Sequence, residues 1–436
     1  MAMRFIIELD GIKMLKRITV QLQCLGITFL LMFSLWVGVS FAVGEQPQFD
    51  ALSVILIESQ RGQVLYEKNP GERLHISSAN KIMTGLIALE KMGNQLDSKV
   101  TISKNAVLVD GANLNLEVGG KYPLGDLVYS VLLDSANDSA NALAEYIGGD
   151  EETFVEIMNK RAKELQMNDT HFTNPTGLYD QSQYTTANDI AILVRHAILK
   201  STEFDRIFSA KAYPWTDKNG SRILINSNEL FWVYDGIDGG RVGYNDPERQ
   251  TVITTATRNG QRLISIVLDS PESSMYNDSI KLLDYGFENF RTGILVSNGE
   301  LLKKIRIGED SLALVALADY YYTYPVGRDY ISEFDIIVGE DLKPPIGKDE
   351  VLGVAKYTLD DGTVIEVNLY TDSEIYSTMS WFSTAVEKLN EFREIVILLL
   401  ILIFIELLLF SIYIAKFIKK KFFKSLGNFK KQDGSN

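Results

Sequence analysis

A chain of 436 residues, 46 % hydrophobic and 23 % charged, is long enough for two or three domains with cores of their own, and its composition excludes a disordered chain. The net charge of −14 argues against nucleic acid as a partner, because phosphate binding needs a concentrated basic surface. The single cysteine, Cys24, removes disulfide frameworks, Cys-ligated zinc and iron–sulfur clusters, and the three scattered histidines, His75, His171 and His196, argue against a His-based metal site or a Ser-His-Asp triad.

In chain order, Lys13, Lys16 and Arg17 precede an apolar stretch from Leu25 to Val39, and Ser40-Phe41-Ala42 follows it as a small-x-small cleavage pattern. Residues 1–42 thus read as a secretory signal peptide, with an uncleaved anchor as the competing reading and Met3 or Met14 as alternative starts. Ala51 to Ser59 and Gln63 to Glu67 form a hairpin pattern. Helical periodicity follows in Lys81 to Met92, Leu124 to Ile147, Glu151 to Glu164 and Ala187 to Leu199. Thr251 to Thr257 and Leu263 to Asp269, joined through Asn259-Gly260, return to a hairpin. Strands at both ends with helices between them predict an α/β or α+β domain over 43–290 whose first and last strands pair.

From 291 to 380 the helical period gives way to short alternating strands, among them Lys303 to Ile307, Leu312 to Ala316, Glu333 to Val338, Val351 to Thr358 and Thr363 to Leu369, which predicts a small all-β, sandwich-like domain. An amphipathic segment, 381–394, leads to 395–415, where Glu406 is the one charge. That length spans a bilayer, and the following tail 416–436, with Lys416, Lys419, Lys420, Lys421 and Lys424, belongs on the cytoplasmic side by the positive-inside rule. The protein is therefore expected in the cell membrane by a single C-terminal span, with its main domain extracytoplasmic.

Chemistry-bearing residues stand in the first domain. Ser78 and Lys81 sit three apart where a helical pattern begins, so both fall on one face, and a lysine of lowered pKa there can act as base for the hydroxyl. Ser77 has only Asn80 at the same offset. Ser135 and Asn137 lie in a polar run, Leu133 to Asn141, that equally suits helix capping. Arg241-Val242-Gly243-Tyr244 ends a Gly-rich segment that lets another backbone or a ligand approach closely.

S-x-x-K, then S-x-N 57 residues on, then basic-x-Gly on a late strand, make up the motif set of penicillin-recognising serine enzymes. With Asn113 to Val118, Phe172 to Leu178, Tyr184 to Ala191, Asn226 to Leu230 and Pro344 to Lys348, the chain resembles the serine-type D-alanyl-D-alanine carboxypeptidases, the low-molecular-mass penicillin-binding proteins, from about Gln48 to Thr371. The resemblance implies an α+β catalytic domain of β-lactamase/transpeptidase type, an antiparallel sheet flanked by helices. It also implies peptidoglycan stem peptides as substrates and β-lactams as covalent inhibitors. Ser78 would attack the penultimate D-Ala carbonyl, Lys81 would take its proton, Ser135 would relay a proton to the departing amine and Asn137 would hold the substrate amide. The backbone N–H groups of Ser78 and Tyr244 would form the oxyanion hole. No metal or organic cofactor is required.

The third motif departs from the family pattern, which is Lys-Thr-Gly. Arg241 keeps the charge and is expected to bind the terminal carboxylate, whereas Val242 lacks the hydroxyl that would donate to it, at about 1.5–3 kcal/mol for a charge-assisted bond. Two readings follow: a working carboxypeptidase of weakened activity, or a cell-wall-binding protein with vestigial or altered catalysis.

Overall fold

The computed structural model describes residues 46–75, 77–218, 220–246, 249–307, 310–339, 342, 345–374 and 393–429. The expected signal peptide, 1–42, and most of the amphipathic segment, 381–392, lie outside the described residues. The chain divides into two units, Met1–Gly293 with Thr323–Asp329, and Ile294–Tyr322 with Tyr330–Asn436.

In the first unit, strand β1 (Ser53–Glu58) is buried along its whole length, because its alternate residues feed two different cores. Ile55 and Ile57 face one hydrophobic cluster and Val54 and Leu56 another. β1 pairs on one side with β2 (Val64–Lys68) and on the other with a strand from the far end of the unit, in the register Val54↔Val267. The completed sheet is antiparallel, in the order β2-β1-β5-β4-β3, where β3 is Ile237–Asp246, β4 Arg249–Arg258 and β5 Gln261–Pro271. First and last strands pair as expected. The turn between β4 and β5 is Asn259-Gly260, both at positive φ (51° and 78°), as a tight hairpin requires.

Helices cover both faces of this sheet. The larger core gathers α1 (Ser77–Met92), α2 (Leu124–Leu133), α3 (Asn137–Gly148), α4 (Glu151–Glu164) and α5 (Ala187–Lys200). The opposite core is closed by α6 (Met275–Asn289) through Leu282, Leu283 and Phe287. Asp150, Thr186 and Ser201 cap the helices that follow them, each accepting a backbone N–H of the first turn. α1 and α2 approach closely at Gly85, where a Cβ would lie 2.9 Å from the buried Leu132 side chain.

The second unit holds five antiparallel strands, β6 (Leu301–Ile307), β7 (Asp310–Val315), β8 (Ile331–Val338), β9 (Gly353–Leu359) and β10 (Val364–Thr371), in the order β6-β7-β10-β9-β8. In β9 and β10 burial alternates residue by residue, which gives one apolar and one wet face. Among the described residues, β7 and β10 join through two residue pairs, Leu314↔Thr371 and Val315↔Tyr370. One further helix, α7 (Arg393–Phe429), contains Ile397–Lys419, a 23-residue stretch whose most apolar 18 residues have a mean hydropathy of 3.0. At 1.5 Å per residue it reaches about 35 Å, enough to cross a hydrocarbon layer of about 30 Å.

Gly85→Val should destabilise the protein by about 1–3 kcal/mol, because the added branch must displace Leu132 from a filled core. The midpoint of urea unfolding measures this, and an unchanged midpoint would show that α1 and α2 have slack between them.

Candidate active site

Helix α1 starts at Ser77, four residues before the periodicity suggested, so both Ser78 and Lys81 lie on it and share a face. The Ser78 side chain lies outside the described residues. The Lys81 amine is only 4 % exposed and donates to the Thr176 carbonyl. Its neighbours on α1 do the same: Asn80 Nδ2 donates to the Asn174 carbonyl at 2.5 Å and Thr84 Oγ1 to the Pro175 carbonyl at 2.8 Å. Three consecutive carbonyls of the segment Phe172 to Leu178 thus bind three side chains of one helix. The bend is held from within by Asn174 Oδ1, which accepts from Gly177 N (2.6 Å) and Thr176 Oγ1 (3.0 Å). Gly177 itself has φ 79°.

The helix expected over Leu124 to Ile147 is two helices. Asp134-Ser135-Ala136 separates α2 from α3, and Ser135 has φ 60°, a left-handed conformation that costs a non-glycine residue roughly 1–3 kcal/mol and collects at functional sites. Capping does not explain this run. The N-cap of α3 is Ala136, with no side-chain bond to the helix. The buried Asp138 carboxylate instead accepts from Leu114 N (3.2 Å), Leu116 N (3.0 Å) and Ser139 N (2.8 Å), while Asp138 N donates to Asn113 Oδ1 at 3.0 Å. These bonds fasten the loop before the short strand Lys121–Pro123 onto the start of α3. Asn137 Nδ2 donates to the Asp110 carbonyl at 2.6 Å. Its Oδ1 is buried with no partner among the described residues, which leaves it as an acceptor for a ligand N–H.

Arg241, Val242, Gly243 and Tyr244 lie on β3, each paired with β4. Val242 and Tyr244 line a cleft of about 440 Å³ together with His75, Lys81, Ser135, Asn137, Thr176 and Ser227. Arg241 lies behind that wall and is 1 % exposed; one guanidinium nitrogen donates to the Val131 carbonyl and another to Ser135 Oγ, both at 3.1 Å. Two of the four residues expected to bind substrate therefore border the cleft, Tyr244 exposed and Val242 with its side chain packed into the opposite core. Arg241 meets Ser135 rather than open cleft, and Gly243 keeps the strand paired with Thr251.

Charge and burial set the proton balance. Burial first, and the neighbouring Arg241 charge second, push the Lys81 amine well below the ordinary lysine range. Burial alone pushes Arg241 down to about 10, which leaves it a cation at neutral pH. The site thus holds one fixed positive charge beside an amine whose proton is loosened by burial. Burial also raises the Asp134 carboxyl and lowers the His75 imidazole, whose ring meets Tyr179 edge-on at 4.8 Å. This arrangement can move a proton between a hydroxyl and an amine without a metal.

Asn80, Thr84, Thr176, Asp138 and Ser227 were not singled out individually from the sequence. Thr176 contributes a backbone carbonyl, which has no side-chain signature at all. Asp138 was masked by its place among ordinary capping residues.

The family model for D-alanyl-D-alanine carboxypeptidases, peptidase S11, matches residues 41–272, and that for the penicillin-binding protein 5 C-terminal domain matches residues 290–377. The D-alanyl-D-alanine carboxypeptidase DacF of Bacillus subtilis is 31 % identical over 317 residues, 70 % of this chain and 80 % of the relative. DacA of Haemophilus influenzae is 30 % identical over 343 residues, 76 % of this chain and 86 % of the relative. Crystal structures of penicillin-binding protein 5 from Haemophilus influenzae superimpose with a TM-score of 0.64 at 30 % identity, covering 76 % of this chain and 99 % of that one.

Asp138→Ala should remove about 1.5–3 kcal/mol of stability, since a buried carboxylate accepting backbone N–H groups is replaced by nothing. Hydrogen exchange at the Leu114 and Leu116 amides should accelerate with it; amides that stay protected would show that the loop is held elsewhere.

Proposed function

The chain belongs to the peptidase S11 family of D-alanyl-D-alanine carboxypeptidases, and from that premise we propose that it removes the terminal D-Ala from peptidoglycan stem pentapeptides through an acyl-enzyme on Ser78. The observation that carries this reading is the buried Lys81 amine, its pKa driven down by burial and by the neighbouring Arg241 charge, on the same helix face as Ser78.

Ser78 Oγ forms a bond to the carbonyl carbon of the penultimate D-Ala while its proton passes to Lys81. The oxyanion that develops is stabilised by the backbone N–H groups of Ser78 and Tyr244. Collapse breaks the C–N bond, and the departing D-Ala amine takes a proton relayed through Ser135. The Arg241 guanidinium donates to Ser135 Oγ, so that oxygen is already engaged as an acceptor and its own proton is free to be donated onward. Asn137 Oδ1 accepts the N–H of the peptide. Water then attacks the ester, the shortened peptide leaves and Ser78 regains its proton.

The reading includes domains over 43–290 and 291–380, α7 as a membrane anchor and the lysines after it on the cytoplasmic side; the membrane-length apolar stretch of α7 supports the anchor. In this reading the catalytic unit stands outside the membrane, where its substrate lies. β-Lactams, which acylate the same nucleophile, serve as probes. A second reading, a wall-binding protein with vestigial catalysis, draws on Val242 and predicts peptidoglycan binding without covalent labelling.

Benzylpenicillin should add its full mass to the intact protein and none to Ser78→Ala; an unlabelled parent protein would favour the second reading. Val242→Thr should speed labelling, and an unchanged rate would show that the hydroxyl is not limiting. Because Lys81 accepts a proton only as the free base, acylation should rise with pH along a limb well below the ordinary lysine range. Arg241→Gln removes the neighbouring charge, raises the Lys81 pKa and should move that limb to higher pH.

A further inference from the structure

Glu406 takes no part in the chemistry of the first unit and stands in the middle of an apolar helix. Every residue of Ile397–Lys419 is exposed, and the Glu406 carboxyl has no partner among the described residues. At 1.5 Å per residue it lies about 14 Å from the first residue of that stretch and about 20 Å from the last, so in a bilayer it sits deep in hydrocarbon. The nearby Ser411 is satisfied within its own helix, its Oγ donating to the Leu407 carbonyl at 2.7 Å. Glu406 makes no such bond among the described residues, and at that depth water does not supply one. Its partner has to come from another helix.

The residues around it say which helix fits. Leu399, Leu402, Glu406, Leu409 and Tyr413 are spaced three, four, three and four apart, the seam of a parallel, left-handed helix pair. Leu399, Glu406 and Tyr413 occupy one set of seam positions, and Leu402 and Leu409 the other. An open groove of about 630 Å³ runs along this face between Ile403, Glu406, Phe410 and Tyr413, with room for a facing side chain. A single polar residue in such a seam fixes register and the number of partners. Two copies of one chain enter the bilayer in the same direction, so their helices run parallel and Glu406 meets Glu406 at equal depth. A carboxyl is self-complementary in that position, since two of them hydrogen-bond as donor and acceptor through a shared proton. A different protein would have to match both the seam and the depth of the polar group, whereas a second copy supplies both.

We propose that the α7 helices of two copies pair in parallel along this seam, with their Glu406 carboxyls bonded to each other, so that the membrane-bound protein is a dimer. The proposal rests on the reading of α7 as a membrane anchor.

The test uses the full chain with Cys24→Ala, carrying one engineered cysteine and reconstituted into phospholipid vesicles at high lipid-to-protein ratio. Under a mild oxidant, Leu402→Cys and Leu409→Cys on the seam should form disulfide-linked dimers, and Phe404→Cys and Leu408→Cys on the opposite side should not. Glu406→Leu makes the helix more apolar and so still inserts, but it should lower the dimer-to-monomer ratio by about 5- to 30-fold, the worth of an interhelical hydrogen bond in hydrocarbon. Glu406→Gln keeps a donor and an acceptor and should retain the dimer. Equal cross-linking on both faces, cross-linking on neither, or a seam indifferent to Glu406→Leu overturns the proposal. In cell membranes a photoreactive benzoylphenylalanine at position 402 should capture a second copy, and capture of a different protein instead also overturns it. Alkaline carbonate extraction separates the two readings: a chain that washes off the membrane sinks the anchor and the pairing together, whereas an embedded chain that fails to pair sinks the pairing alone.

Discussion

Two basic side chains share one buried space between α1, the Ser135 loop and β3, and burial bears on them unequally. A guanidinium keeps its proton under burial that an alkylamine does not withstand, because its charge is delocalised and its intrinsic pKa is higher. Arg241 therefore stays the cation, and the Lys81 pKa is the one driven well down. The rest of the unit is arranged around that division. α1 presents Lys81 to the Thr176 carbonyl, the break between α2 and α3 brings Ser135 to the guanidinium, and β3 turns Arg241 toward that loop while its neighbour Val242 packs into the opposite core.

An arginine at 241 differs in kind from a lysine there. A lysine at that position would present a single ammonium, free to swing between an internal partner and a ligand. The planar fork of Arg241 is instead committed to the Val131 carbonyl and Ser135 Oγ at once. With Nε buried and without a partner among the described residues as well, the group is a fixed electrostatic post.

Much of this was legible in the amino acids, for identifiable reasons. The strands that pair across the unit announce themselves by unbroken apolar runs, and the spacing of Ser78 and Lys81 follows from helical geometry alone. The membrane-length stretch is likewise visible from composition. What escaped has a common physical character. The start of α1 at Ser77 and the break at Ser135 depend on tertiary bonds that outweigh local periodicity. The three carbonyls at Asn174, Pro175 and Thr176 act through backbone atoms, which every residue possesses. The inward turn of Arg241 is a matter of which internal acceptors lie within reach, and no local pattern encodes that.

The pairing of β1 with β5 has a kinetic side. Val54 and Val267 meet across more than two hundred intervening residues, and β1 with β2 alone is a two-stranded hairpin of marginal stability in water. Such distant pairing slows folding, since the loop entropy is lost before the contact is gained. A chain that emerges amino end first thus cannot close its sheet, or mount Arg241 behind Ser135, until β5 has appeared. Ser78 and Lys81 are synthesised early, yet the strand that brings Arg241 beside them comes more than a hundred residues later.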